Sequence, residues 1–136
     1  MTGEMAIAVH ALVYLDMHAD MISSEVLAEN VCTNPVRIRK VMSKLKKAGL
    51  VDSREGIDGG YYLRDDVKKI RLSQVMEAVQ VEAVTMRWHT GNKEKDCMIS
   101  SGMAEVMDGL CGELNEECRK YLSGVTISDI EQRLRL

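Results

Sequence analysis

A mainly α fold (α+β by its small sheet) is predicted for this chain: a winged helix-turn-helix domain with a two-stranded wing, followed by a long C-terminal dimerisation helix. Three observations predict it. The stretch "NPVRIRKVMSKLKKAGLV", residues 34–51, opens on a helix-capping pair, carries an apolar stripe and closes on a glycine stop. Two β-prone runs follow, parted by the turn-forming cluster Gly56, Asp58, Gly59 and Gly60. Much later, apolar residues step by fours and threes from Met103 to Tyr121, in a helix about 30 Å long.

The elements follow in order. Over residues 4–19, Ala6, Ile7, Val9, His10, Val13, Tyr14 and Met17 recur at helical spacing, so a first helix is expected with that side buried and His10 as a core histidine. Ser23 and Ser24 are N-cap candidates for a short second helix, SEVLAEN, with Val26, Leu27 and Val31 inward. Asn34 caps the third helix. Pro35 suits its first position, where a missing N–H loses no intrahelical bond. Ile38, Val41, Met42 and Leu45 form an i, i+3, i+4, i+7 stripe, while Arg37, Lys40, Lys44 and Lys47 fall on another side with Arg39 beside them. Gly49 stops the helix, the hairpin LVDSREGIDGGYYLR follows, and a fourth helix is expected near Ser73 to Gln80. Residues 81 to about 100 show no clean period, and TGNKEKDC is a polar loop. From Gly102 to about Ser123, Met103, Met107, Leu110, Leu114, Cys118 and Tyr121 mark one side of a helix too long and too apolar to serve one small domain alone. Ser128 with Glu131 matches a capping box for a closing helix. The chain divides into a winged helix-turn-helix domain over 1–80, a variable loop region over 81–101, and the dimerisation helix with a short C-terminal helix over 102–136.

The 136 residues suit one domain with an appended helix, and 46% apolar content suffices for a core. Charge is unevenly spread. The net charge is -3, yet residues 34–51 carry six Lys/Arg and no acid. Thr33 to Arg71 holds 11 basic and 5 acidic residues, so an acidic chain hides a basic face that attracts phosphates. No apolar run reaches the length of a membrane span, and the start is too polar for a secretory signal, so a cytoplasmic protein is expected. Cys32, Cys97, Cys111 and Cys118 would then be reduced thiols; none is spaced as CxxC, and His10, His18 and His89 form no metal set. No nucleophile with a base, no carboxylate pair and no phosphate loop has a usable spacing, which argues against an enzyme.

In a winged helix-turn-helix the second helix of the pair enters the major groove of double-stranded DNA. A cationic rod there releases counterions as it docks, and arginines on its N-terminal half can bond guanine edges in pairs. Arg54 and Arg64 of the hairpin are placed to touch the DNA backbone or the minor groove, and Tyr62 is counted with them. The alternative is an interaction module whose basic face binds an acidic partner protein.

The stretch "SSEVLAENVCTNPVRIRKVMSKLKKAGLVDSREGIDGGYYL" resembles the bacterial Rrf2 regulators, the family of the IscR, NsrR and CymR type. "IRLSQVMEAVQ" and "YLSGVTISDI" extend the resemblance over nearly the whole chain. It implies a homodimeric, DNA-binding transcription factor, usually a repressor, whose dimer is made largely by the long helix. It implies DNA contact by Asn34, Val36, Arg37, Arg39 and Lys40, with Ser24 at a phosphate. Cluster-binding members carry three cysteines about six apart before the long helix. Here Cys97 holds the first place, but Met103 and Gly109 hold the others, so an iron–sulfur cluster is not expected. Cys111 and Cys118 are expected as small residues of the helix interface, and Cys32 as packed in its turn. Cys97, near Lys93 and Lys95, is a redox-thiol candidate beside the plainer reading of an idle surface thiol. The family commonly places arginine directly before the first hairpin glycine, where this chain has Glu55; the N-terminus, often basic, has Glu4. Trp88 and His89 either line a pocket for a small-molecule effector or cover a hydrophobic edge, the latter being favoured.

Overall fold

The computed structural model describes residues 1–18 and 20–135. Its elements are α1 (Gly3–Met17), α2 (Ser24–Val31), α3 (Pro35–Lys47), β1 (Val51–Arg54), β2 (Gly60–Leu63), α4 (Leu72–Val79), α5 (Met98–Leu122) and α6 (Ile127–Arg135). This is the expected fold: a helix-turn-helix with an antiparallel wing, then a long helix.

Local chemistry sets the helix-turn-helix. The Ser23 hydroxyl accepts the Val26 N–H at 3.2 Å and starts α2. Cys32 ends it in the left-handed region (φ 63), and the Asn34 side chain accepts the Arg37 N–H at 2.9 Å to start α3. Cys32 is exposed, not packed. Within α2 the buried residues are Leu27 and Ala28, while Val26 is exposed and Val31 only partly covered; two turns of helix hold too few positions to assign a stripe by spacing. In α3, Ile38, Val41, Met42 and Leu45 are all buried as expected, and Gly49 (φ 81) closes the helix.

The wing pairs Val51 with Leu63, Asp52 with Tyr62, Ser53 with Tyr61 and Arg54 with Gly60. Ile22 joins it through two backbone bonds to Tyr61, 3.1 and 2.8 Å long. A Cβ on residue 60 would lie 2.6 Å from the Ile22 backbone, so this junction requires glycine.

The core gathers Met5, Leu12, Leu27, Ile38, Met42 and Val75 with the β1 start and the C-terminal end of α5. The first helix turns differently from its expected face. Met5, Ile7, Ala8, Ala11, Leu12, Val13 and Leu15 are buried, whereas Ala6, His10 and Met17 are exposed. This helix is apolar nearly all round, so spacing alone cannot choose the inward side. His10 is no core histidine: its Nε2 meets Asn30 Oδ1 at 2.7 Å on the surface.

The long helix begins at Met98, four residues before Gly102. Only Asn115 and Leu122 of it are buried. The Asn115 amide clamps the segment before it, accepting the Val84 N–H at 2.8 Å and donating to the Val84 carbonyl at 2.9 Å. Beyond α5, the Leu72 N–H donates to the Val125 carbonyl at 2.8 Å and the Arg71 guanidinium to the Ser123 carbonyl at 2.7 Å. The capping box of α6 is Thr126 with Asp129, not Ser128 with Glu131: Asp129 Oδ2 accepts the Thr126 N–H at 2.9 Å, and Thr126 Oγ1 accepts the Asp129 N–H at 3.1 Å. Glu131 is buried instead. Among the described residues, no helix is long and apolar enough to cross a membrane.

Candidate nucleic-acid interface

The outer side of α3 is built by its inner side. Because Ile38, Val41, Met42 and Leu45 are anchored in the core, Asn34, Val36, Arg37, Arg39 and Lys40 are left exposed at the N-terminal half. Val36 is 67% exposed, an apolar side chain at the mouth of a helix where it suits contact with a thymine methyl. Arg37 makes no ion pair among the described residues. Arg39 donates to Ser24 Oγ at 3.3 Å and lies 3.9 Å from Glu25, which ties α3 to the start of α2. Ser24 also donates to Glu25 at 3.2 Å, so it sits beside Arg39 at the surface.

Lys44 is placed otherwise than its spacing suggested. It is half-buried, and its ammonium donates to Glu4 at 2.9 Å. That bond, above all, holds the Glu4 carboxyl below the usual carboxylate range. Lys40 lies 3.6 Å from the same carboxylate. At the far end of α3, Lys46 donates to Ser53 Oγ at 2.7 Å and joins the helix to β1.

On the wing Arg54 is exposed and Tyr62 is partly so, on the strand positions facing Gly60 and Asp52. Burial pushes the Tyr61 hydroxyl above its ordinary pKa. Ile57, at the wing tip, is fully exposed; only the turn signal around it marked that position in the sequence.

Cys97 caps α5 and is exposed. The backbone N–H groups of Ser100 and, next, Ile99 hold its thiol below the usual cysteine range; Lys93 and Lys95 are not the cause. Cys111 and Cys118 are partly covered. Fourteen residues of helix put about 21 Å between the Cys97 and Cys111 positions, too far for one cluster to span within a chain. No three His, Cys, Asp or Glu side chains gather to hold a metal ion among the described residues. His89 meets Asp108 at 2.7 Å and pins the loop to α5, while Trp88 is 73% exposed and covers no hydrophobic edge among the described residues.

Comparison with known proteins agrees with this geometry. The pattern of the Rrf2 family, described as an iron-dependent transcriptional regulator, matches residues 1–133. YwnA of Bacillus subtilis (strain 168), which carries the name of an HTH-type transcriptional regulator, is 30% identical over 132 residues, 97% of each chain. IscR of Cereibacter sphaeroides is 31% identical over 93 residues, 68% of this chain and 59% of that one. Among solved structures, a transcriptional-regulator structure from Lactobacillus plantarum superposes with a TM-score of 0.83 at 26% identity, covering 99% of this chain and 91% of that one. CymR of B. subtilis shares the fold with a TM-score of 0.69 at 16% identity, over 98% and 96%. A basic helix standing clear of a buried stripe, a wing beside it and a match over nearly the full length lead to one conclusion: this chain belongs to the Rrf2 family of winged-helix, DNA-binding transcriptional regulators.

Proposed function

We propose that the protein is a homodimeric repressor of a near-palindromic operator, with α3 of each protomer in the major groove. One observation carries this reading: the N-terminal half of α3 exposes Asn34, Val36, Arg37, Arg39 and Lys40 together, while its opposite side is wholly buried. Arg37 and Arg39 read base edges, the α2 start at Ser24 meets a phosphate, and Arg54 and Tyr62 approach the backbone from the wing. Glu55, exposed beside Arg54, limits how closely that strand end approaches a phosphate.

The uncovered side of α5 supports a dimer. Met103, Val106, Leu110, Leu114 and Tyr121 are exposed along one flank of a 25-residue helix. Such a stripe on a protein this small is an association surface. Two protomers joined there present their α3 helices to half-sites about one DNA turn apart, or a multiple of it. A redox input is the second reading, favoured by one observation: Cys97 is exposed and its pKa is lowered by the first-turn amides of α5.

Selection of duplexes from a random pool tests the proposal. An inverted repeat is the expected consensus. Enrichment of no consensus would point instead to a module that binds an acidic protein. Gel shifts before and after mild peroxide, with and without Cys97→Ser, test the thiol; equal shifts in all four samples would end that reading.

A further inference from the structure

The first turn of α1 lies against the cationic flank of α3. Glu4 spans the gap: Oε2 accepts from the Lys44 ammonium at 2.9 Å, and Oε1 lies 3.6 Å from the Lys40 ammonium. The three groups differ in freedom. Lys44 is half-buried and also lies 3.5 Å from the Val79 carbonyl, so it is held from two sides. Glu4 is itself less than a quarter exposed, whereas Lys40 is 68% exposed. The neighbouring residue confirms the closeness of the two helices, since a Cβ on Gly3 would lie 3.3 Å from Arg37 Nη2. A carboxylate fixed in this place offers an ammonium the same two anionic oxygens that a DNA phosphate offers.

We infer that Glu4 sets the overall affinity for DNA: anchored by Lys44, it engages Lys40 in competition with DNA phosphate and so weakens binding to every duplex. This rests on the DNA-binding reading of α3. Phosphate neutralisation dominates non-specific affinity and carries no sequence information, whereas base contacts add to specific affinity alone. Occupying one cation internally removes a contact that both kinds of complex would make, so affinity for operator and for bulk DNA falls alike and the ratio between them holds. Lys44 in this scheme positions the carboxylate.

The test compares the full-length wild type with Glu4→Gln. Each is titrated, over a range of KCl concentrations, against the selected duplex and an unrelated duplex of equal length. The isosteric amide removes the charge and releases Lys40. One added phosphate contact steepens the slope of log K against log[KCl] by about 0.9 and tightens binding about 5–10-fold at 0.1 M salt. The expected result is that gain on both duplexes, with the specificity ratio held. Adding Lys40→Gln to Glu4→Gln is expected to return the slope to the wild-type value. Should Glu4→Gln not fold, Glu4→Asp keeps the charge but withdraws it from Lys40 by one methylene, and the slope should move in the same direction. An unchanged slope and affinity on both duplexes in a folded variant would overturn the inference. A wild type that enriches no consensus would instead remove the DNA-binding reading, and this inference with it.

Discussion

Arg37 and Lys47 sit nearly three turns apart on α3, and the proposed DNA contact gives them different work. Arg37 stands at the mouth of the helix beside Asn34 and Val36; Lys47 is exposed at its last residue. Arg37→Ala is expected to weaken the selected duplex by about 1–3 kcal/mol and to relax preference at one base position. Lys47→Ala is expected to weaken all duplexes alike and to flatten the salt slope by about 0.9. Fluorescence anisotropy on selected and scrambled duplexes separates the two. Glu131 makes a second prediction at this scale. It is buried against Asp16 of α1, one of its oxygens has no partner, and burial first, then Asp16, pushes its pKa up to about 7, against a slight opposing pull from Arg135. The unfolded chain releases this proton near pH 4.5, the folded chain only near 7, so the folded state binds the extra proton between those values. Stability therefore falls as pH rises through that window and stays lower above it. Glu131→Gln should melt several degrees above the wild type at pH 8 and close to it at pH 5 in a pair of thermal scans. Neither the Glu131 burial nor the Lys44 ion pair was legible in the sequence. Each side chain is charged and stands at a spacing that suits solvent, and what recruits it comes from a distant element.

Elements were more legible, because their ends are written in local chemistry. Asn34–Pro35 and Gly49 bracket α3, and the stripe between them is buried without exception. Asn34→Ala removes the bond to the Arg37 N–H and is expected to destabilise the protein by about 1 kcal/mol, measured by urea unfolding. The hairpin was equally readable from its glycines. Besides α6, whose capping box is Thr126 with Asp129 rather than Ser128 with Glu131, three elements were misjudged. The face of α1 was ambiguous because apolar residues surround it, and the face of α2 because it is short. The start of α5 was placed late because Cys97 is a weak capping signal and a polar loop precedes it. Asn115, polar and mid-helix, gave no hint of its clamp on Val84, since that bond closes over 31 residues of chain.

At the scale of the molecule, two apolar surfaces remain uncovered among the described residues. One is the α5 stripe. The other is a groove of about 590 Å³ between α1 and α6, lined by Met5, Val9, Val13, Met17, Ile130 and Leu134. Leu110→Asp, central in the stripe, is expected to yield a folded monomer by sedimentation and circular dichroism, with markedly weaker binding to a duplex carrying both half-sites. A dimer that survives this change would place the interface elsewhere. The sequence by itself determined the order of elements, their caps, the buried stripe of α3 and the local excess of positive charge, because these depend on residues within a turn or two of one another. Only the tertiary structure decided which side of α1 is inward, which lysine is held and which stays exposed, and which acid is buried. Those outcomes depend on distances between groups that the chain keeps far apart, as with Glu4 and Lys44, 40 residues distant in sequence and 2.9 Å apart in space.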